Sequence, residues 1–241
     1  MKRENDTIYL YGDDIGKVEL VQTIGNDLSV VNAARVSFGV EKEELDERDK
    51  KLINYLVKHK HTSTLEHCFM TFKFVVPLYV RSQHHRHRTW SYNEISRRYT
   101  DVDIQFYEPT SFRTQHETNR QASNQDNINP DLRSYTNSLV PSSPHPADEA
   151  IRWHHKSCLD LFNTLLEKGV CREQARGVLP QNLYTTYIGS VNLNNLLKFV
   201  ALRDHEGAQW EIQQMARACL TLAQEHFPHT INSYRENSQG H

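Results

Sequence analysis

Cysteine is scarce in this 241-residue chain. Its four cysteines, Cys68, Cys158, Cys171 and Cys219, show no CxxC or other metal-ligand spacing. Usage so sparse excludes a disulfide scaffold and points to free thiols in a reducing, cytoplasmic setting. An excess of charge is missing too, since Lys+Arg 28 stands against Asp+Glu 30, a net charge of −2. That balance excludes a protein whose whole surface is built to hold DNA or an anionic membrane. No apolar run approaches the ~20 residues of a membrane span, and the opening MKRENDTIYLYGDD lacks the apolar region of a signal peptide. Neither a GxGxxG turn nor a Walker loop occurs. Any phosphate must therefore be held by side chains and helix ends, not by a Rossmann turn or a P-loop.

What is present is a polar but globular composition, 37% hydrophobic and 24% charged. The length suits one large domain or two small ones, and either is long enough to bury a real core. IYLYGDD suggests a strand ending in a turn, and SVVNAARVSFG a short helix. Glu41 to Glu47 is an acidic loop leading into a helix whose Leu52, Ile53, Leu56 and Val57 form one apolar stripe. CFMTFKFVV, aromatic and β-branched, predicts a strand. Pro77 then opens a helix, LYVRSQHHRHR, expected to run to about Arg88.

Residues 113–149 change character: Gln, Asn, Ser, Thr and Pro dominate, which reads as a structureless, mobile insertion. Next comes an amphipathic helix with Cys158, Leu161, Phe162 and Leu165 on one face and Gly169 as its stop. NLYTTYIGS predicts a strand, and LNNLLKFVALR a helix. AQWEIQQMARACLTLAQEHFP predicts a second helix, striped by Ile212, Met215, Cys219 and Leu222 and closed by Pro228. Residues 235–241 read as a disordered tail. The expectation is a single α+β catalytic domain, helix-rich, around a central mixed or antiparallel sheet.

Chemistry concentrates between Arg81 and Arg98. This window holds Arg81, Arg86, Arg88, Arg97 and Arg98 with His84, His85 and His87, and Glu94 is its only acid. A proportional share of the chain's basic residues would be roughly two. Guanidinium groups crowded together repel one another unless an anion lies among them, and phosphate is the anion they bind in a bidentate way. A solvated basic helix face is the plain alternative. A metal site on His84, His85 and His87 is weaker, because the arginines disfavour a cation and no carboxylate pair or cysteine completes the shell. A second cluster, HKHTSTLEH, places Ser63 three residues before Glu66, the spacing of a helix capping box. Arg176 and Arg203 each stand in mostly apolar surroundings, ARGVLP and FVALRD. Such an arginine either snorkels to water or is buried for a purpose.

RHRTWSYNEIS, from Arg86 to Ser96, resembles the RHR-(seven residues)-S signature of the flavin-dependent thymidylate synthases. NAARVSFG, HKHTSTLEH, ARGVLPQNLYT and FVALRDHEGAQWEIQQMA resemble further blocks of that family in the same order. The resemblance implies a homotetramer with active sites at subunit interfaces. It implies methylation of dUMP to dTMP, with methylenetetrahydrofolate as one-carbon donor and FAD, reduced by NADPH, as hydride source. On the family's pattern, His61, Ser63, Arg86, His87, Arg88, Glu94 and Asn192 fall at flavin-binding positions. Gln83, Arg86, Glu94, Ser96, Arg98, Arg176 and Arg203 fall at positions that bind dUMP. Arg97 stands where the family often has glycine, so it crowds the phosphate site or adds a guanidinium to it. Asn194 and Lys198 replace residues that touch the flavin in relatives.

Uracil C5 is a poor nucleophile. It can be activated by a thiolate adding at C6 or by a fixed cation stabilising charge at N3 and its flanking carbonyls. The first route needs a cysteine of low pKa, and only Cys171, at the start of a helix, is even a weak candidate. The second needs a permanent cation in a dry pocket, a role the resemblance gives to Arg203. Flanked by Arg97 and Arg98, the Ser96 hydroxyl suits phosphate binding better than nucleophilic attack, since no histidine–acid relay stands near it in sequence. Two other classes remain open: an FAD-binding, NADPH oxidase-like protein without methylation, and a single-strand nucleic-acid binder stacking bases on Trp90, Tyr92 and Tyr99.

Overall fold

The computed structural model describes residues 1–132 and 145–238. The chain forms two compact units. The first comprises Met1–Val75, Gln83–Asn93 and the described part of Thr186–His241; the second comprises Val76–Ser82 and Glu94–Thr185.

A six-stranded sheet organises the first unit. Its strands are β1 (Arg3–Glu4), β2 (Thr7–Tyr9), β3 (Lys17–Ile24), β4 (Phe69–Pro77), β5 (Ser91–Glu94) and β8 (Tyr184–Asn192). They lie side by side in the order β1-β2-β3-β4-β8-β5. The first four pair antiparallel, with Val18 opposite Phe74 and Leu20 opposite Phe72 and a bulge between Leu20 and Gln22. β4 shows why it is a strand: Met70, Phe72, Phe74 and Val76 alternate with less buried residues, so one face is entirely buried. On β8 the buried series Tyr187, Gly189 and Val191 leaves no room at its centre. A Cβ on Gly189 would lie 3.1 Å from Phe74 and 3.2 Å from Trp90.

Helices α1 (Asp27–Arg35), α2 (Glu47–Lys58), α6 (Leu193–Arg203), α7 (Trp210–Ala223) and α8 (Pro228–Ser238) complete this unit. Both N-terminal helices begin with capping boxes, Asn26 with Ser29 and Asp46 with Asp49. The expected stripe of α7 is fully realised: Ile212, Met215, Cys219 and Leu222 are all buried. Pro228 does not close α7, which stops at Ala223, but opens α8. Residues 235–238, expected as tail, are that helix's last turn. Asp27 holds its start, accepting from the backbone N–H of His229 (2.7 Å) and Thr230 (3.0 Å) and from the Thr230 hydroxyl (2.6 Å).

The acidic loop before α2 is anchored, not simply solvated. Fully buried Asp49 pairs with Arg35 at 2.6 Å and with Lys42, and Lys42 also reaches Asp46. Such a carboxylate tolerates burial only because cations and N–H groups surround it.

The second unit contains α3 (Leu78–His84, its last two residues belonging to the first unit), a hairpin of β6 (Phe112–Gln115) and β7 (Ser123–Ile128), α4 (Ala147–Glu167) and α5 (Arg172–Ala175). The hairpin corrects the reading of 113–149 as structureless: Phe112 pairs with Ile128 and Arg113 with Asn127. Its residues show no apolar alternation, so local pairing and side-chain amides hold it. The Gln115 amide donates to the carbonyls of Asn119 and Ala122. Residues 133–144 of the expected insertion and 239–241 of the expected tail lie outside the described residues. α4 is followed by left-handed Gly169, the expected stop, but its buried face differs. Ala147, Ala150, His155 and Phe162 are buried, whereas Leu161 is exposed.

Candidate active site

The helix opened by Pro77 ends at His84, four residues earlier than its sequence suggests. Arg86, His87 and Arg88 therefore sit on a turn, not on a helix. Backbone bonds from Arg86 to Gln83 (3.3 Å), His87 to His84 (2.9 Å) and Trp90 to His87 (3.3 Å) shape that turn. Arg86 and Arg88 are exposed, and among the described residues neither has a carboxylate partner. Two uncompensated cations so close in sequence create a strong local preference for an anion.

Arg203, in the last turn of α6, is brought to this turn from far along the chain. Its Nε–H donates to Nε2 of His87 at 3.0 Å, and an Nη2–H donates to the carbonyl of Gln83 at 3.3 Å. Burial lowers the Arg203 pKa from its ordinary value, yet a guanidinium remains a cation at any physiological pH. His87 accepts this bond, so its ring is neutral with the proton on Nδ1. Burial first, and the Arg203 charge second, push its pKa down to about 4. The ring also meets Phe199 edge-on at 4.9 Å. Gln83 continues the network: its amide donates to Gln209 at 2.5 Å, and the Gln209 amide donates to Glu211 at 2.9 Å.

The three histidines of the window take different partners. His84 is fully buried and bonds the Tyr187 hydroxyl through Nδ1 at 2.8 Å, while its Nε2 has no partner among the described residues. His85 packs on Tyr92, and His87 serves Arg203.

The other predicted residues of the first unit take varied positions. His61 and Ser63 lie exposed at the turn after α2, His61 edge-on to Tyr55 at 5.6 Å. The capping box expected between Ser63 and Glu66 does not form, because residues 62–65 make only a single tight turn. Instead the Asn194 amide donates to the Glu66 carboxylate at 2.8 Å. Asn194 is thereby buried and structural, whereas Lys198 is exposed. Asn192 caps α6, its side chain accepting from the Asn195 N–H at 2.9 Å.

Glu94, Ser96, Arg97, Arg98 and Arg176 belong to the second unit. Glu94 orients neither Arg86 nor Arg98. It pairs with Arg81 at 3.1 Å and accepts from the Thr185 hydroxyl at 2.7 Å. Sequence reasoning left both anchors out of the site; Arg81 was visible only as one more charge of the window. The Ser96 hydroxyl accepts from the Arg98 N–H at 3.3 Å. Arg98 reaches Glu173 at 3.6 Å. Arg97 folds back on its own loop, donating to the carbonyls of Val102 (2.6 Å) and Asp103 (3.2 Å). Both ends of its guanidinium are thus engaged in holding the loop. Arg176 is exposed, at the end of α5, and not enclosed by the apolar residues around it in sequence.

None of the shifted thiols suits nucleophilic attack. Burial pushes Cys68 up to about 11, and burial likewise raises Cys158 and Cys219. Cys171, exposed, donates to the Gln174 side chain at 3.6 Å.

Known proteins are similar to this chain over most of its length. The family described as thymidylate synthase complementing protein matches residues 19–229. The chain belongs to the flavin-dependent thymidylate synthase family. It is 40% identical over 224 residues to the flavin-dependent thymidylate synthase of Thermus thermophilus, covering 93% of this chain and 77% of that one. To that of Thermotoga neapolitana it is 39% identical over 221 residues, covering 92% and 91%. Among solved structures it is similar to a UMP/dUMP methylase, PolB of Streptomyces cacaoi, bound with 5-Br UMP. There the TM-score is 0.76 at 28% identity, over 96% of this chain and 98% of that one. The same methylase bound with 5-Br dUMP gives a TM-score of 0.75 at 30% identity, over 95% and 97%. In this flavin-dependent thymidylate synthase family member, no helix among the described residues is long and apolar enough to cross a membrane.

Proposed function

We propose that this chain methylates dUMP to dTMP, taking the one-carbon unit from methylenetetrahydrofolate and the hydride from FAD reduced by NADPH. The observation that carries this reading is the Arg203–His87 pair: a half-buried cation fixed in direction beside two arginines that have no carboxylate partner among the described residues.

The donor set fits the groups it would hold. Both FAD and dUMP carry phosphates, and exposed Arg86 and Arg88 offer planar N–H pairs for them. His61, Ser63, His87, Glu94 and Asn192 complete the proposed flavin site. Gln83, Ser96, Arg97, Arg98 and Arg176 complete, with Arg86, Glu94 and Arg203, the proposed nucleotide site. Arg97 enters it through the loop it braces, and Ser96 as a hydroxyl donor to phosphate. When bound, the flavin supplies a two-electron hydride. The protein's part is to aim a permanent positive charge at the uracil edge, so that negative charge on N3 and its carbonyls is stabilised as C5 attacks the methylene. Arg203 has the geometry for this because His87 and the Gln83 carbonyl occupy its Nε and one Nη. Its remaining N–H groups are left to point at a ligand. The raised thiols of Cys68, Cys158 and Cys219 argue in the same direction, since burial disfavours the thiolate that addition at C6 would need.

The whole chain is read as one catalytic domain. A homotetramer is part of the proposal, supported by the apolar turn after α1, where Val36 and Phe38 are 73% and 82% exposed. Exposed apolar side chains grouped in this way favour a surface that another chain covers. Free cysteines throughout favour a cytoplasmic setting.

The test is an absorbance spectrum of the purified protein followed by tritium release from [5-³H]dUMP with folate and NADPH. A flavin spectrum and release dependent on both co-substrates are expected. A yellow protein that oxidises NADPH in response to dUMP but forms no dTMP would leave only flavin binding. A colourless protein whose affinity for single strands falls steeply with salt would replace the proposal altogether. Because the similar PolB structures are named UMP/dUMP methylases, UMP belongs in the same assay as a competitor. The curated relatives at higher identity favour dUMP as the substrate.

A further inference from the structure

We propose that Tyr92 is a positioning residue: its hydroxyl holds the Arg86–His87–Arg88 turn in the shape that presents these side chains to the nucleotides and sets His87 against Arg203. This rests on the function proposed above.

The turn needs such support. α3 has stopped at His84, and beyond it the backbone makes only single, non-repeating bonds. Isolated turns lack the cooperative reinforcement of a helix, so their shape must be fixed from outside. Tyr92 lies on β5, two residues after the turn closes, and its O–H is shared between two carbonyls of the turn. It lies 2.9 Å from the His84 oxygen and 3.2 Å from that of His87. One proton thus ties the helix end to the middle residue of the arginine triplet, and both to the sheet. His87 in turn accepts from Arg203 through its ring. The phenol and the catalytic guanidinium are therefore linked through opposite ends of a single residue.

The ring of Tyr92 is itself immobilised. It is parallel to Trp90 (6.2 Å between centroids, 3° between planes), lies 4.1 Å from His85 and meets His84 edge-on at 5.2 Å. Burial raises its pKa from the ordinary value of 10.0, so the phenol stays a proton donor wherever the protein is folded. Phenylalanine would keep this packing and remove only the donor, which separates a positioning role from a packing one.

The experiment is a titration of Tyr92→Phe with FAD, followed by flavin fluorescence, beside the wild type. Loss of one shared hydrogen bond on the turn should weaken FAD binding about tenfold. The melting temperature of the ligand-free protein should change by only a few degrees. 3-Fluorotyrosine at position 92, which retains the hydroxyl, should bind FAD like the wild type. A folded Tyr92→Phe protein with wild-type FAD affinity overturns the proposal, whatever its melting temperature. So does a fluorotyrosine protein as weak as the phenylalanine one. Should Tyr92→Phe fail to fold, hydrogen exchange on the ligand-free wild type decides: a His87 amide as protected as those of β4 supports the role, and one exchanging at loop rates overturns it. Wild-type protein that binds no FAD refutes the proposed function itself, an outcome distinct from equal affinity in the two proteins.

Discussion

The Nε–H of Arg203 donates to the Nε2 of His87 across 3.0 Å, joining residues 116 positions apart in sequence. The direction of this bond makes His87 the neutral acceptor and leaves the guanidinium as the charged partner. A charge that cannot be lost is thereby aimed by a group that carries none.

Arg203→Ala should retain FAD and lose almost all methylation. Removing one preorganised charge contact to a developing anion costs on the order of 3 kcal/mol, a hundredfold or more in rate. Arg203→Lys should recover little, because one ammonium cannot occupy His87, the Gln83 carbonyl and a ligand in a fixed fan. Tritium release measures the loss and the visible spectrum the retained flavin. Near-wild-type turnover in Arg203→Ala would remove Arg203 from the chemistry.

Acid should weaken the fold through His87. Its pKa is held down to about 4 in the folded protein, against an ordinary 6.5. Between these values the unfolded chain takes up a proton that the folded one refuses, so stability rises with pH across the window and is lost as pH falls from 6.5 towards 4. Fully buried His84, shifted in the same direction by burial, adds to the slope. Melting temperatures should therefore drop across this range, and drop less steeply in His87→Gln. An identical slope in that variant would show that His87 is not the proton-refusing group.

Ser96→Ala should keep partial turnover with a raised KM for dUMP. The hydroxyl accepts from the Arg98 N–H and remains able to donate to an anion. Steady-state kinetics on dUMP separate the two roles. Complete loss of kcat with KM unchanged would make Ser96 a participant in the chemistry.

Gly189→Ala should destabilise the fold without touching a ligand. The new methyl would meet Phe74 at 3.1 Å and Trp90 at 3.2 Å, both held in the same aromatic cluster. Overpacking of this kind costs about 1–3 kcal/mol, a fall of several degrees in melting temperature for a chain of this size. An unchanged melting temperature would mean that the cluster yields more readily than its packing implies.

Which elements were legible from sequence follows from where their causes lie. α2, β4, α6 and α7 were legible because their apolar spacing, period 3.6 or 2, is written in neighbouring residues. β3 and the β6–β7 hairpin were missed because partially exposed or polar strands owe their pairing to a partner elsewhere in the chain. The end of α3 was misplaced because nothing local stops a helix at His84. The Tyr92 hydroxyl, eight residues on, takes up that carbonyl.

By itself, the sequence determined the chemistry available: five arginines in one window of a neutral chain, the signature from Arg86 to Ser96, and four cysteines of which only Cys171 stands at a position that could favour a thiolate. Folding decided which cations are free and which are committed. Arg97 is taken up by its own loop and Arg81 by Glu94, while Arg86 and Arg88 keep no acid among the described residues. The bond between Arg203 and His87 likewise exists only once α6 and the arginine turn have packed together. Charge is a property of a residue type, but its direction and its partner are set by distances between segments remote in the chain, which no local pattern encodes.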